Sequence, residues 1–247
     1  GLDPAEIVIA PADTSRVPDS GPTVASRPTM VGGGLVERAC DALIERMGGA
    51  RGRTLGDAIR AAVSAEGEEA VADAVYSPPP GIRWDDSAYR GDAYAAYGWA
   101  TYVAEVEVDL RTYGARVVDF VALQEVGRIL NEPLARGQVQ GGVVQGIGWA
   151  LMEDVALEDG AMANPALTNY VIPTSDDVPP IRVAFEENPY PYGAGGAKGL
   201  GELPIDGPAP AVVNAIARAL GVQPSEIPLT PERLMATLDA AGEADAA

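Results

Sequence analysis

Between residues 193 and 201 five glycines surround the single Lys198, and the run closes on Glu202, giving GAGGAKGLGE. So many glycines let a backbone take positive φ and come close to a bound group, which packing alone seldom requires. Glu202 is the side chain left there for acid–base chemistry. Taken alone it reads as a surface or capping carboxylate; buried among glycines and apolar residues, it would instead suit a general base working near neutrality. The run is not a familiar phosphate loop. Counted from Gly193 and Gly195, the third glycine of a dinucleotide fingerprint falls on Lys198, and no βαβ pattern follows. A Walker-type loop needs glycine before the lysine and a hydroxyl after it, whereas Lys198 lies between Ala197 and Gly199.

Two further constellations stand out. In GQVQGGVVQGIGWAL, residues 137–151, Val139, Val143, Ile147, Ala150 and Leu151 form an apolar stripe at helical spacing. Gln138, Gly141, Gly142 and Gln145 fall at i, i+3, i+4 and i+7 on another face, bare backbone flanked by amides. An interior glycine costs a helix about 1 kcal/mol relative to alanine. Gly141, Gly142, Gly146 and Gly148 therefore imply either close approach of another backbone or close approach of a flat polar ligand, and spacing weighs the two evenly. Upstream, PTVASRPT (residues 22–29) gathers hydroxyls and small residues before a helix. Such a segment presents free N–H groups to an anion, or simply caps the helix through Ser26 or Thr29.

The elements that position these residues follow from pattern and punctuation. Residues 6–12 read as a short buried strand and 13–21 as a polar turn. Helices are expected over 35–47 and 55–74, with a firm break at Pro78, Pro79, Pro80 and Gly81. From Trp99 the period changes to two: Val106, Val108 and Leu110 alternate with Glu105, Glu107 and Asp109. A turn at 111–114 and a second strand over 115–123 make a β-hairpin. A long helix is expected over 134–155 and a strand over 180–186. The last helix runs over 208–220, with Asp206 or Gly207 as its cap, Pro208 at its first position and Gly221 at its C-cap. Hairpins and helices without βαβ alternation specify an α+β class, mixed sheets with packed helices. Two lobes are expected, 1–98 and 99–240, followed by a frayed tail over 241–247.

Composition removes more possibilities than it adds. The 247 residues are 47% hydrophobic, enough for a sizeable core. Seventeen basic against thirty-six acidic residues leave a formal charge of −19, which argues against a nucleic-acid partner. Histidine is absent and Cys40 is the one cysteine, so zinc fingers, iron–sulfur ligation, Ser-His-Asp triads and internal disulfides are excluded within this sequence. Any metal has to be held by carboxylates or by a cofactor. Cys40 lies in a helical pattern and is expected as a packed free thiol, compatible with a reducing cytoplasm. No apolar run is long enough to span a bilayer. The opening GLDPAEIVIAPADT, without methionine, reads as part of a larger polypeptide or a processed subunit.

ASRPT, GDAYAAYGW, VAEVEVD, GQVQGGVVQGIGWAL, NYVIPTSDD, GAKGLGE, APAVVNAI and PLTPERL follow one another in this order. Together, from residue 7 to residue 238, they resemble the C-terminal part of the molybdenum-binding subunit of the xanthine dehydrogenase and aldehyde oxidase family, the molybdenum hydroxylases. The resemblance implies that Glu202 is the general base. It makes Gln145, Ala25, Ser26 and Thr29 contacts of a molybdopterin cofactor, of the cytosine dinucleotide form, and sets Gly141, Gly142, Lys198 and Gly199 in cofactor-lining segments. The implied chemistry is oxidative hydroxylation of an N-heteroaromatic or purine, or of an aldehyde, with oxygen derived from water. Electrons would leave through 2Fe–2S clusters and FAD on partner subunits, and a second polypeptide would supply the N-terminal half of the molybdenum subunit. GDAYAAYGW and GAKGLGELP are closer to the xanthine dehydrogenase-like members. A different class of function, a non-catalytic assembly module without bound metal, remains compatible with the fold.

Three departures from the family pattern bear on the site. The cofactor loop often reads GPFGAKG, and here GAGGAKG removes a bulky aromatic. Glu125-Val126-Gly127 stands where many members have Asp-x-Gly. Family members also extend much further on the N-terminal side.

Overall fold

Pro28 begins a π-helical turn, Pro28–Gly32, that continues directly into helix α1, Gly33–Arg46, in a computed structural model that describes residues 2–66 and 70–245. Helix α2, Arg53–Glu66, follows, with Leu55 as its buried anchor. A small antiparallel pair, β1 (Trp84–Asp85) and β2 (Arg90–Gly91), lies beyond the proline break. These elements belong to one of two compact units, Gly1–Ala96 together with Tyr190–Lys198. The other unit comprises Tyr97–Pro189 and Gly199–Ala247. The first half of the glycine run thus returns to the first unit, which a linear division near residue 98 does not contain.

Several expectations for the first unit are corrected. Residues 6–12 form no strand: Val8 and Ile9 are each 90% exposed, and only a short 3-10 turn, Pro4–Glu6, precedes them. A strand needs a ladder partner for its backbone, and the described residues offer this segment none. Helix α2 ends at Glu66; of its expected continuation to residue 74, residues 67–69 lie outside the described residues and 70–74 are not helical. Cys40 does lie on α1, but it is exposed rather than packed.

In the second unit the period-two pattern becomes a hairpin of β3 (Trp99–Asp109) and β4 (Gly114–Glu125), antiparallel, with a bulge beside Val106. Tyr102, Ala104, Val106 and Val108 face the core in alternation with exposed Thr101, Val103, Glu105 and Glu107. Asn131 caps α3 (Glu132–Leu151), its side chain accepting from the Leu134 N–H. That cap moves the start two residues upstream of the expected one, and the helix stops four residues before the expected end. Two further two-residue strands, β5 (Leu157–Glu158) and β6 (Ala161–Met162), pair with each other. The expected strand at 180–186 is β7, Ile181–Phe185, parallel to β4, so the sheet order is β3-β4-β7.

A short helix α4, Leu203–Asp206, leads into α5, Pro208–Leu220. The α5 boundaries are those expected: Gly207 at the N-cap, Pro208 at the first turn and Gly221 in the left-handed region (φ 69) at the C-cap. Helix α6, Pro231–Asp245, was not anticipated, and it makes residues 241–245 helical instead of a frayed tail; residues 246–247 lie outside the described ones. The helices α3, α5 and α6 bury Val139, Val143, Ile147, Val212, Ile216 and Leu234 against Phe120 and Ala122 of the sheet. A mixed three-stranded sheet covered by helices is the α+β arrangement expected. No helix among the described residues is long and apolar enough to cross a membrane.

Candidate functional site

Helix α3 resolves the question its glycines posed by dividing them into two kinds. A Cβ at Gly142 would lie 2.5 Å from Pro204 Cβ and 2.9 Å from Pro204 C; one at Gly146 would lie 2.7 Å from Pro208 Cβ. This i, i+4 pair receives the first turns of α4 and α5, so close packing of neighbouring backbone explains both. Gly148 likewise faces Pro173, at 2.6 Å from Cδ. Gly141 is different: a Cβ there would meet nothing within 4 Å. It lies on the exposed side of the helix with Gln138 and Gln145, an open stripe of backbone bounded by amides.

Gln138 ties this stripe to the end of the glycine run, its Nε2 donating to the Gly201 carbonyl at 2.7 Å. Glu202 follows immediately, at the N-cap position of α4, where its carbonyl accepts from the Ile205 N–H at 3.1 Å. Glu202 is exposed. The burial that would suit a general base is not supplied by the described residues of this chain. On the far side of Glu202, the Leu203 carbonyl accepts from the Tyr102 hydroxyl at 2.8 Å. Burial raises the Tyr102 phenol above the ordinary tyrosine value, so it stays a donor at neutral pH. Gly207 makes room for that ring: a Cβ there would come 2.1 Å from Tyr102 Cδ2. Gln124 is fully buried near the Tyr102 hydroxyl.

Tyr102 and Gln124 were missed by sequence reasoning. Both sit at inward positions of an alternating hairpin, and a polar residue on an apolar face was the available signal. Gly199 shares the second unit with Gly141, Gly142, Gln145 and Glu202.

In the first unit the glycine run is shaped by local geometry. Gly195 and Gly196 have φ of 56 and 87, and a Cβ at Gly193 would stand 1.9 Å from the Ala197 carbonyl oxygen. The turn is tight: Gly196 N–H donates to Gly193 O, Ala197 N–H to Ala194 O, and Gly195 N–H to Glu37 Oε1 at 2.9 Å. These three amides are used within the unit, so part of the glycine content serves close approach of the chain to itself. Lys198 follows, half-buried.

The 22–29 segment carries backbone strain, as does Tyr89 (φ 49) in the same unit. Ala25 and Ser26 are consecutive non-glycine residues with φ of 54 and 53. Each such conformation costs about 1–3 kcal/mol unless its surroundings hold it, and such strain clusters at functional sites. Arg27 holds the turn by folding back, Nε to the Pro22 carbonyl at 3.1 Å and a second nitrogen to the Ser20 carbonyl. Thr29 is exposed within the π-helical turn, a feature frequent at ligand sites. An open cavity of about 330 Å³ elsewhere in this unit is lined by Met30, Glu37, Tyr76 and Tyr190, among others, and by none of Ala25, Ser26, Thr29 or Lys198.

Residues 1–179 match the family model described as Molybdopterin cofactor-binding domain. The xanthine dehydrogenase molybdenum-binding subunit of Escherichia coli is 38% identical over 174 residues, 69% of this chain and 23% of that protein. The aldehyde oxidoreductase of Megalodesulfovibrio gigas is 30% identical over 247 residues, 97% of this chain and 26% of that protein. The crystal structure of the aldehyde oxidoreductase from Desulfovibrio desulfuricans superposes with a TM-score of 0.79 at 32% identity, covering 91% of this chain and 24% of that one. The chain thus spans about a quarter of the length of these relatives.

Proposed function

Since the chain belongs to the molybdopterin cofactor-binding family of xanthine dehydrogenase and aldehyde oxidase molybdenum subunits, we propose that it is part of the catalytic subunit of a molybdenum hydroxylase in which Glu202 is the general base. The overall reaction adds a hydroxyl to an electron-poor carbon: substrate C–H and water give C–OH, two electrons and two protons. When bound, the molybdenum–pterin group supplies the two-electron oxidant and the activated oxygen. Substrates are N-heteroaromatic, purine-like or aldehydic. The rest of the molybdenum subunit completes the cofactor cleft, and partner subunits with 2Fe–2S clusters and FAD carry the electrons away.

One observation carries this reading: the exposed stripe of Gly141 and Gln145 is joined through Gln138 to the backbone next to Glu202. The open backbone and amides suit the hydrogen-bonding edge of a pterin, and a carboxylate held beside such a stripe suits proton removal. The donor set agrees. With no histidine and one exposed cysteine, the sequence has no imidazole or thiolate cluster for the metal, and an organic carrier needs none. Gln145 is assigned to the pterin with Gly141 beside it. Gly142 keeps its place in the lining segment as the seat of Pro204, and Gly199 as part of the glycine run. In the first unit the family resemblance assigns Ala25, Ser26 and Thr29 cofactor contacts and Lys198 a lining position, and the strained backbone at Ala25 and Ser26 suits such a role. The cofactor form assigned is the cytosine dinucleotide.

The source of the oxygen tests the reaction class. Turnover of xanthine or benzaldehyde by the complete complex in heavy-oxygen water is expected to give product carrying the heavy isotope. Unlabelled product in that water, with label acquired from heavy dioxygen, would contradict a hydroxylase of this kind.

A further inference from the structure

Three consecutive carbonyls around Glu202 each accept a hydrogen bond, and two of the donors are side chains from distant elements. Gln138 on α3 reaches Gly201 O at 2.7 Å, and Tyr102 on β3 reaches Leu203 O at 2.8 Å. Between them Glu202 O accepts the Ile205 N–H. Leu200 packs against the core, and these bonds fix the backbone that follows it. Residues 199–202 lie outside any helix or strand, two of the four are glycines, and Glu202 itself is exposed. A glycine-flanked backbone loses more conformational freedom on ordering than any other, so holding it in one place requires specific contacts.

The two donors are themselves well seated. The Tyr102 ring occupies the space left by Gly207 and packs near Phe120, with ring centroids 6.2 Å apart. Gln138 projects from a helix whose next turn is locked to Pro204 through Gly142. The rigid core of the unit is therefore connected to the backbone on both sides of the carboxylate.

We propose that Gln138 and Tyr102 are positioning residues that clamp the backbone on either side of Glu202 and so present its carboxylate at a fixed point to the reacting group. The proposal rests on the reading of Glu202 as the base. Displacing a catalytic group by about 1 Å can cost on the order of a hundredfold in rate, so loosening this segment acts on turnover more than on substrate binding.

Tyr102→Phe removes only the hydroxyl and keeps the ring on Gly207; Gln138→Leu keeps bulk and helix propensity at an exposed position. Amide hydrogen exchange of the peptide covering residues 199–206, read by mass spectrometry on the full chain, needs neither cofactor nor substrate. Exchange there is expected to rise about tenfold in each variant, and unfolding temperature to stay near wild type. In the complete complex, turnover of whichever of xanthine or benzaldehyde it oxidises is expected to fall about tenfold in each variant and about a hundredfold in the double variant, with KM within twofold. Gln140→Leu, the same change two residues along α3, is the control and should alter neither.

Wild-type exchange and kcat in the double variant, beside an inactive Glu202→Gln, would overturn the clamp and leave Glu202 as the base. Wild-type turnover in Glu202→Gln would overturn the base reading itself, and with it the catalytic meaning of the clamp.

Discussion

Glu202→Gln is expected to abolish turnover, a loss of at least about 10²–10⁴-fold, while molybdenum and pterin content and the folded structure stay as in the wild type. That range is what a positioned general base contributes. The substitution is nearly isosteric, and Glu202 is exposed and makes no side-chain cap hydrogen bond to α4. The backbone bonds at Gly201, Glu202 and Leu203 involve carbonyls and are untouched. Kinetics and metal analysis on one preparation make the comparison. Loss of the cofactor together with activity would assign Glu202 to binding rather than to proton transfer.

Gly142→Ala and Gly141→Ala, adjacent on α3, are expected to move stability in opposite directions. At position 142 the new methyl meets Pro204 at 2.5 Å from Cβ and 2.9 Å from C, a proline carbon and a backbone atom that cannot rotate away. Overpacking of this kind costs about 1–3 kcal/mol, only partly offset by the gain of about 1 kcal/mol in helix propensity. For a chain of this length a net loss of up to about 2 kcal/mol lowers the melting temperature by up to about 8 °C. Because α4 begins directly after Glu202, the same push disturbs the segment carrying the carboxylate. At position 141 nothing lies within 4 Å, so the propensity gain remains and stability should rise by up to about 1 kcal/mol. Thermal unfolding of both variants decides it. Equal effects would mean that the two glycines serve the same purpose, against the division of the helix face into a packed and an open stripe.

That division marks how far the sequence could be read. The spacing of Gln138, Gly141, Gly142 and Gln145 identified a special face but could not say which glycines serve packing, because Pro204 and Pro208 lie more than sixty positions away and meet the helix only in the fold. Helix ends were legible where a residue has a single conformational meaning, as at Pro208 and Gly221, and the hairpin was legible from its alternation. The strand expected at 6–12 failed because periodicity reports a segment's preference and not whether a ladder partner exists. Helix α6 was missed although Thr230-Pro231-Glu232 is a helix-start signal: the Arg233 N–H lies 3.4 Å from Thr230 Oγ1, and Pro231 is the first helical residue. At the candidate site Glu202 was visible through the pattern GAKGLGE, whereas Tyr102 was not, since its role depends on a carbonyl about a hundred residues downstream.

Molybdenum and pterin analysis of the chain purified with its natural partners tests the central claim most directly. The expected result is about one molybdenum and one pterin per copy of this chain. Absence of both from an intact complex would contradict a catalytic role and leave an assembly module in its place.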